Sequence, residues 1–108
     1  MSAADVHDAV FKALGDARRR RMLDLLRTGP KTTGQLCEAF PELDRCTVMQ
    51  HLGVLERAGL VITRKRGRER WNYLDPVPIK DIHDRWIGRY AARAVDLLAR
   101  LKRDLEAE

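Results

Sequence analysis

Arg45 and Gln50 carry the chemistry that is easiest to place in this chain. A guanidinium forks onto guanine O6 and N7, and a carboxamide pairs with adenine N6 and N7. Both lie in the stretch 44–60, where Val48, Leu52 and Leu55 recur at helical spacing as a stripe to bury. Arg45, Cys46, Met49, Gln50 and Gly53 fall on the opposite face, open to a DNA groove. Met49 and the small Cys46 suit contact with a thymine methyl. Just downstream, Arg64, Lys65, Arg66, Arg68 and Arg70 crowd one short segment. Cations in that density suit phosphates, which fix register without reading sequence. Thr33 and Gln35, at the start of an earlier short helix, are further phosphate ligands through side chain and helix N-terminus.

These residues need elements to hold them. Val6, Val10, Phe11 and Leu14 predict a first helix over about 4–14 that ends at Gly15. Asp16 caps a second, carrying Met22, Leu23, Leu25 and Leu26 up to the stop at Thr28-Gly29-Pro30. Thr32 or Thr33 caps a third, with Leu36, Cys37 and Phe40 inward and Pro41 at its end. Asp44 caps the fourth, which Gly59 terminates. The third and fourth, over about 32–58, make a helix-turn-helix. Residues 60–66 and 70–74 are rich in β-branched and aromatic types around Gly67-Arg68-Glu69 and predict a hairpin, the wing, over 60–74. By the two-residue period Trp71 and Tyr73 share one face and Asn72 lies on the other.

From 79 to about 106 a single long helix is expected, its stripe formed by Ile82, Trp86, Tyr90, Ala94, Leu97, Leu98, Leu101 and Leu105. Such a helix is ~40 Å long at 1.5 Å per residue, more than so small a domain covers by itself. A second copy is the simplest cover and gives a two-fold dimer; a helix folded back on its own domain is the alternative. Val10, Trp86, Tyr90, Ala94, Leu97, Leu98 and Leu101 are assigned to that interface. The expected fold is mainly α with a small β-hairpin: one winged helix-turn-helix domain over 1–108, with N- and C-terminal dimerisation helices.

Charge agrees with an anionic partner. The 108 residues carry a net +5, and its distribution is uneven. Residues 1–43 hold seven basic and six acidic side chains, residues 44–74 seven against three, and residues 75–108 seven of each. The positive field sits on the reading helix and the hairpin. No apolar run approaches the ~20 residues that span a bilayer. Asp5, His7 and Asp8 interrupt any signal peptide, so a cytoplasmic location with no membrane partner is expected. Cys37 and Cys46 then read as free thiols. An enzyme is not expected: there is no glycine-rich phosphate loop, no paired carboxylates and no Ser/His/Asp set, and His7, His51 and His83 fall on different elements. Three features stay open. The run Arg18–Arg21 reads as a solvated helix face or as phosphate contacts. His51 reads as a packed histidine or as a metal or base ligand. Gly53 reads as a close approach to DNA or as a tolerated glycine.

In order and spacing, Phe11-Lys-Ala-Leu-Gly-Asp16, Arg19 to Leu26, Thr33-Gly-Gln-Leu36, Val48-x-x-His51-Leu-x-x-Leu55, Ala58-Gly-Leu-Val61 and Gly67 to Tyr73 resemble the ArsR/SmtB family of winged-helix repressors over about 8–105. Within it the chain is similar to a branch with an Asp75-Pro-Val-Pro78 joint and a Trp-bearing last helix. The resemblance implies a homodimeric repressor on double-stranded operator DNA, and a two-fold dimer implies a palindrome with half-sites about 10–11 base pairs apart. It also implies where metals would bind, and the residues do not oblige. The paired cysteines at the start of the third helix correspond to Thr32 and Gly34, which offer no thiolate to a soft metal. Asp81-Ile-His83 matches half of a last-helix site whose other half falls near Ala94 and Leu97. Two ligands do not close a tetrahedral zinc site, so no metal and no cofactor is expected. The other readings are a thiol-responsive repressor using Cys46, relief by an unidentified small-molecule effector, and a winged helix that binds protein instead of DNA. The basic wing speaks against the last.

Overall fold

Every helix up to the wing begins on a side chain that satisfies its first backbone donors. The computed structural model describes residues 2–88 and 92–108. In α1 (Ala3–Leu14) Ser2 Oγ accepts from Asp5 N, and the Asp5 carboxylate accepts from Ser2 N in return. In α2 (Ala17–Arg27) the Asp16 carboxylate accepts from Arg18 N at 2.8 Å. Thr32, not Thr33, caps α3 (Thr33–Ala39): its hydroxyl accepts from Gln35 N at 3.1 Å, and Gln35 Oε1 accepts from Thr32 N at 2.9 Å. In α4 (Arg45–Arg57) Asp44 Oδ1 accepts from Thr47 N at 2.7 Å, as its sequence position predicts. Those backbone and side-chain bonds from Thr47 hold the Asp44 carboxyl below its ordinary pKa.

The hairpin of β2 (Val61–Arg66) and β3 (Glu69–Leu74) gains a third strand. β1 (Lys31–Thr32) pairs antiparallel with β3, Lys31 opposite Asn72 and Thr32 opposite Trp71, giving the order β1-β3-β2. Two residues are too few for an alternating pattern, so the sequence did not announce this strand. Gly67 takes φ +63° at the wing tip, and no described residue other than glycine has a positive φ. That is the pattern of a type II′ turn. It makes Gly67-Arg68 a two-residue loop and starts β3 at Glu69, one residue before the expected 70.

Val48, Leu52 and Leu55 of α4 are buried, as their spacing predicts, against Met22 and Leu26 of α2, Leu36 and Phe40 at α3, and Leu60 and Val61 after α4. Val10 belongs to this core as well: it is 0% exposed. Its assignment to a dimer surface is therefore corrected, because a fully enclosed valine has no area left for a partner.

Arg18, Arg20 and Arg21 are exposed, as a solvated helix face would be, but the run is not idle. The Arg19 guanidinium donates to Ala13 O at 2.7 Å and Lys12 O at 3.0 Å, and Arg20 donates to Leu14 O at 2.7 Å. These carbonyls belong to the last turn of α1, where Lys12 O also accepts from Gly15 N and intrahelical donors run out. Arg21 lies over the Phe40 ring, 4.5 Å from its centroid, and Arg18 is paired with Asp16. The run is a brace between helices.

Arg19 also reaches His51 Nδ1 at 3.2 Å. Arg19 can only donate, so Nδ1 must keep its lone pair and the ring is neutral. His51 is buried, which resolves it as a packed histidine. Burial pushes its pKa below the ordinary 6.5, the Asp16 carboxylate opposes that, and Arg18 and Arg19 reinforce it. The folded state thus binds fewer protons than the unfolded one, and stability is lost as pH falls below 6.5 through the lowered folded value. Asp16 acts in a separate window. Burial raises its carboxyl, but the hydrogen bonds and charge of Arg18 prevail and hold it at about 2, so its contribution fades only between 3.8 and about 2. Melting temperatures between pH 5 and 8 are expected to fall with acid in the native protein. They should stay flat in His51→Asn, whose carbonyl can still accept from Arg19.

The chain divides into two compact units, Met1–Pro78 and Ile79–Glu108. Pro76 and Pro78 stand just before the boundary. The single helix expected over 79–106 is two: α5 (Val77–Trp86), a turn at Ile87 and Gly88, and α6 (Ala92–Ala107). The turn leaves no room for a side chain: a Cβ at position 88 would stand 2.6 Å from Asp84 O, a backbone atom that cannot swing aside, so this conformation requires the glycine. Tyr90, assigned to the dimer stripe, lies outside the described residues. Among the described residues no helix is long and apolar enough to cross a membrane.

Candidate nucleic-acid interface

α4 presents Arg45, Cys46, Met49 and Gln50 to solvent while its other face is buried. The wing lies beside it. Arg45 and Met49 line a cleft of about 220 Å³ together with Lys65, Arg68 and Arg70. The strand register explains which wing cations arrive there. Lys65 sits directly opposite Arg70, and Arg64 opposite Trp71. Successive side chains alternate, so Lys65 and Arg70 share the face that carries Thr63 and Asn72. Arg64 and Arg66 lie on the other face with Trp71 and Tyr73. Arg68 occupies the tip turn. Five cations that read as one cluster in sequence are thus two sets.

Like charges directly opposite in a ladder destabilise it. The Lys65–Arg70 pair is such a pair, with Arg45 and Arg68 on the same cleft. Folding gains nothing from this arrangement; a polyanion neutralises it. Chemically, the surface offers a fork donor and a carboxamide for base edges on α4 and a row of cations for phosphates beside them.

The two phosphate ligands assigned to α3 are also tied into the scaffold. Thr33 is largely buried and its hydroxyl accepts from Asn72 Nδ2 at 3.2 Å, yet the residue lines the cleft with Arg45 and Lys65. Gln35 is exposed; its carbonyl oxygen accepts from Thr32 N, which leaves its NH2 group as the donor for a phosphate. Gly53 lines a cavity of about 40 Å³ with Met49, Thr63 and Asn72. A Cβ there would meet only the mobile end of Arg57, at 3.2 Å, so packing does not demand a glycine. Asn72 is the residue whose place in the site the sequence left unread: it is fully buried in the wing.

Both cysteines are free thiols, Cys46 exposed and Cys37 half-buried. Thr32, at one of the positions where a metal ligand would be needed, is spent as the α3 cap. His83 Nδ1 lies 3.2 Å from Asp84 Oδ1 on α5. Among the described residues no three His, Cys, Asp or Glu side chains are grouped to hold a metal ion.

Comparison with known proteins places this geometry. A helix-turn-helix domain family matches residues 14–64. The HTH-type transcriptional regulator Rv2034 of Mycobacterium tuberculosis is 35% identical over 101 residues, covering 94% of this chain and 92% of that protein. The transcriptional repressor SdpR of Bacillus subtilis is 32% identical over 72 residues, covering 67% of this chain and 79% of the repressor. Among solved structures, the ArsR family transcriptional regulator RHA00566 superposes with a TM-score of 0.70 at 26% identity, over 97% of this chain and 95% of that one.

Proposed function

Because the chain belongs to the ArsR family of winged helix-turn-helix transcriptional regulators, we propose that it acts as a homodimeric repressor on a palindromic operator. It is a DNA-binding regulator; the dimer, the palindrome and the residue roles are the proposal. Arg45 and Gln50 read base edges from the major groove. Met49 and Cys46 pack beside them. Lys65, Arg68 and Arg70 hold the backbone, with Arg64 and Arg66 reaching phosphates from the far face of the wing. The α6 leucines Leu97, Leu98, Leu101 and Leu105, between 54% and 62% exposed, supply the contact between copies together with Trp86 and Ala94. As a regulator bound to operator DNA it acts in the cytoplasm.

The observation that carries this reading is the like-charged Lys65–Arg70 pair set beside Arg45. The test is selection of bound duplexes from a random pool, followed by sequencing. A palindromic consensus with half-sites about 10–11 base pairs apart is expected. An asymmetric single half-site would refute the dimer geometry, and no enrichment would refute the operator. Arg45→Ala, put through the same selection, should lose preference at one base pair per half-site, at a cost of about 1–3 kcal/mol on the native consensus.

A further inference from the structure

The cross-strand pair Thr63–Asn72 ties the wing to both helices of the helix-turn-helix. Asn72 Nδ2 donates to Lys31 O and to Thr33 Oγ1, each at 3.2 Å, so β3 is bound to β1 and to the first residue of α3. Directly opposite, Thr63 Oγ1 donates to Glu56 Oε1 at 3.1 Å, so β2 is bound to the last turn of α4. The amide orientation is fixed, since Lys31 O can only accept and must face the NH2 group. The next pair on the same face toward the tip is Lys65–Arg70. It stands about 7 Å further along the strands at 3.3–3.4 Å per residue.

Burial alone does not explain an asparagine here. Its side chain is fully buried, and no protein group among the described residues donates to its Oδ1. An amide must be desolvated to be buried, whereas an apolar side chain of similar shape at a β position carries no such cost. Buried polar groups that stabilise little are retained in some proteins for the single arrangement that they specify. What this one specifies is the angle of the wing against α4, and with it the spacing between Arg45 and the cations of the cleft.

We infer that Asn72 and Thr63 are positioning residues for DNA binding: together they hold the wing at the angle that brings Lys65, Arg68 and Arg70 to the phosphates flanking the bases read from α4. This rests on the DNA-binding reading above and adds to it two residues that touch no DNA.

The test uses the full-length protein and its Asn72→Val, Thr63→Val and double variants. Binding is measured by fluorescence anisotropy on the duplex enriched by the native protein and on a mixed-sequence duplex, between 50 and 200 mM salt, with melting temperature recorded beside each. Valine suits a strand, so the variants are expected to fold. Their salt slopes should fall by about 0.9 for each wing cation taken off its phosphate, most in the double variant. Preference at the base pair read by Arg45 should persist, and Thr63→Ser, which keeps the hydroxyl, should restore the native slope. Native slopes in all variants, or a lowered melting temperature with an unchanged slope, would overturn the inference and leave the pair a packing detail. Should Asn72→Val fail to fold, Thr63→Val against Thr63→Ser decides alone. Salt-insensitive binding by the native protein itself would instead remove the DNA reading, and this inference with it.

Discussion

Replacing Lys65, Arg68 and Arg70 together by glutamine should flatten the salt dependence of operator binding while leaving the base preference in place. Each phosphate contact contributes about 0.9 to the slope of log affinity against log salt, so the triple variant should lose about 2.7 per protomer. The corresponding Arg64→Gln/Arg66→Gln variant removes two charges from the opposite face of the wing. With the cleft beside Arg45 as the main run of backbone contacts, the far-side variant loses no more than about 1.8. Equal losses would mean that the wing acts as an undirected positive field and that the register between Lys65 and Arg70 is incidental. The triple variant should also melt no lower than the native protein, because it relieves a like-charge pair set directly opposite in the ladder. Weaker binding from a more stable protein would separate function from folding at these three positions.

The reading face was legible because a helix states its period openly. Val48, Leu52 and Leu55 define what α4 buries, so Arg45, Cys46, Met49 and Gln50 had to be outside, and Asp44 could only be a cap. The two-residue period likewise separated Asn72 from Trp71 and Tyr73. What escaped the sequence depends on partners far along the chain. Asn72 meets Lys31 and Thr33, 41 and 39 residues away, and neither pattern nor composition encodes such a pairing. Thr33 looked like a surface hydroxyl for the same reason. The arginine run was ambiguous because its acceptors are the carbonyls of Lys12, Ala13 and Leu14, and backbone groups leave no mark on a sequence. The apolar spacing from Ile79 onward is continuous across Gly88. Periodicity therefore passed over the turn at Ile87 and Gly88, of which the glycine, a weak helix former, was the one local sign.

The second large effect concerns α6. Leu97, Leu98, Leu101 and Leu105 recur at three- and four-residue spacing and stay more than half exposed in the single chain, an apolar stripe of the kind that two copies bury against each other. Leu98→Glu/Leu101→Glu should therefore give a monomer in sedimentation equilibrium, and the reason lies in symmetry as much as in lost area. In a two-fold interface each substitution occurs twice, so carboxylates enter the apolar contact from both sides and oppose one another. The consequence for DNA follows from linkage of the two reading helices. Joined binding modules gain about 10²–10⁴ over either one alone, so affinity for the palindrome should fall by that range, toward the affinity for an isolated half-site. The unit Met1–Pro78 has its own core: among the described residues the buried apolar side chains run from Val10 to Val61. The monomer should accordingly keep its preference at the Arg45 base pair on a half-site duplex. A variant that is monomeric yet binds the palindrome as tightly as the native protein would show that α6 does not join the reading heads. A variant that stays dimeric would move the interface to other surfaces, of which the exposed Val6 and Phe11 on α1 are the first to test.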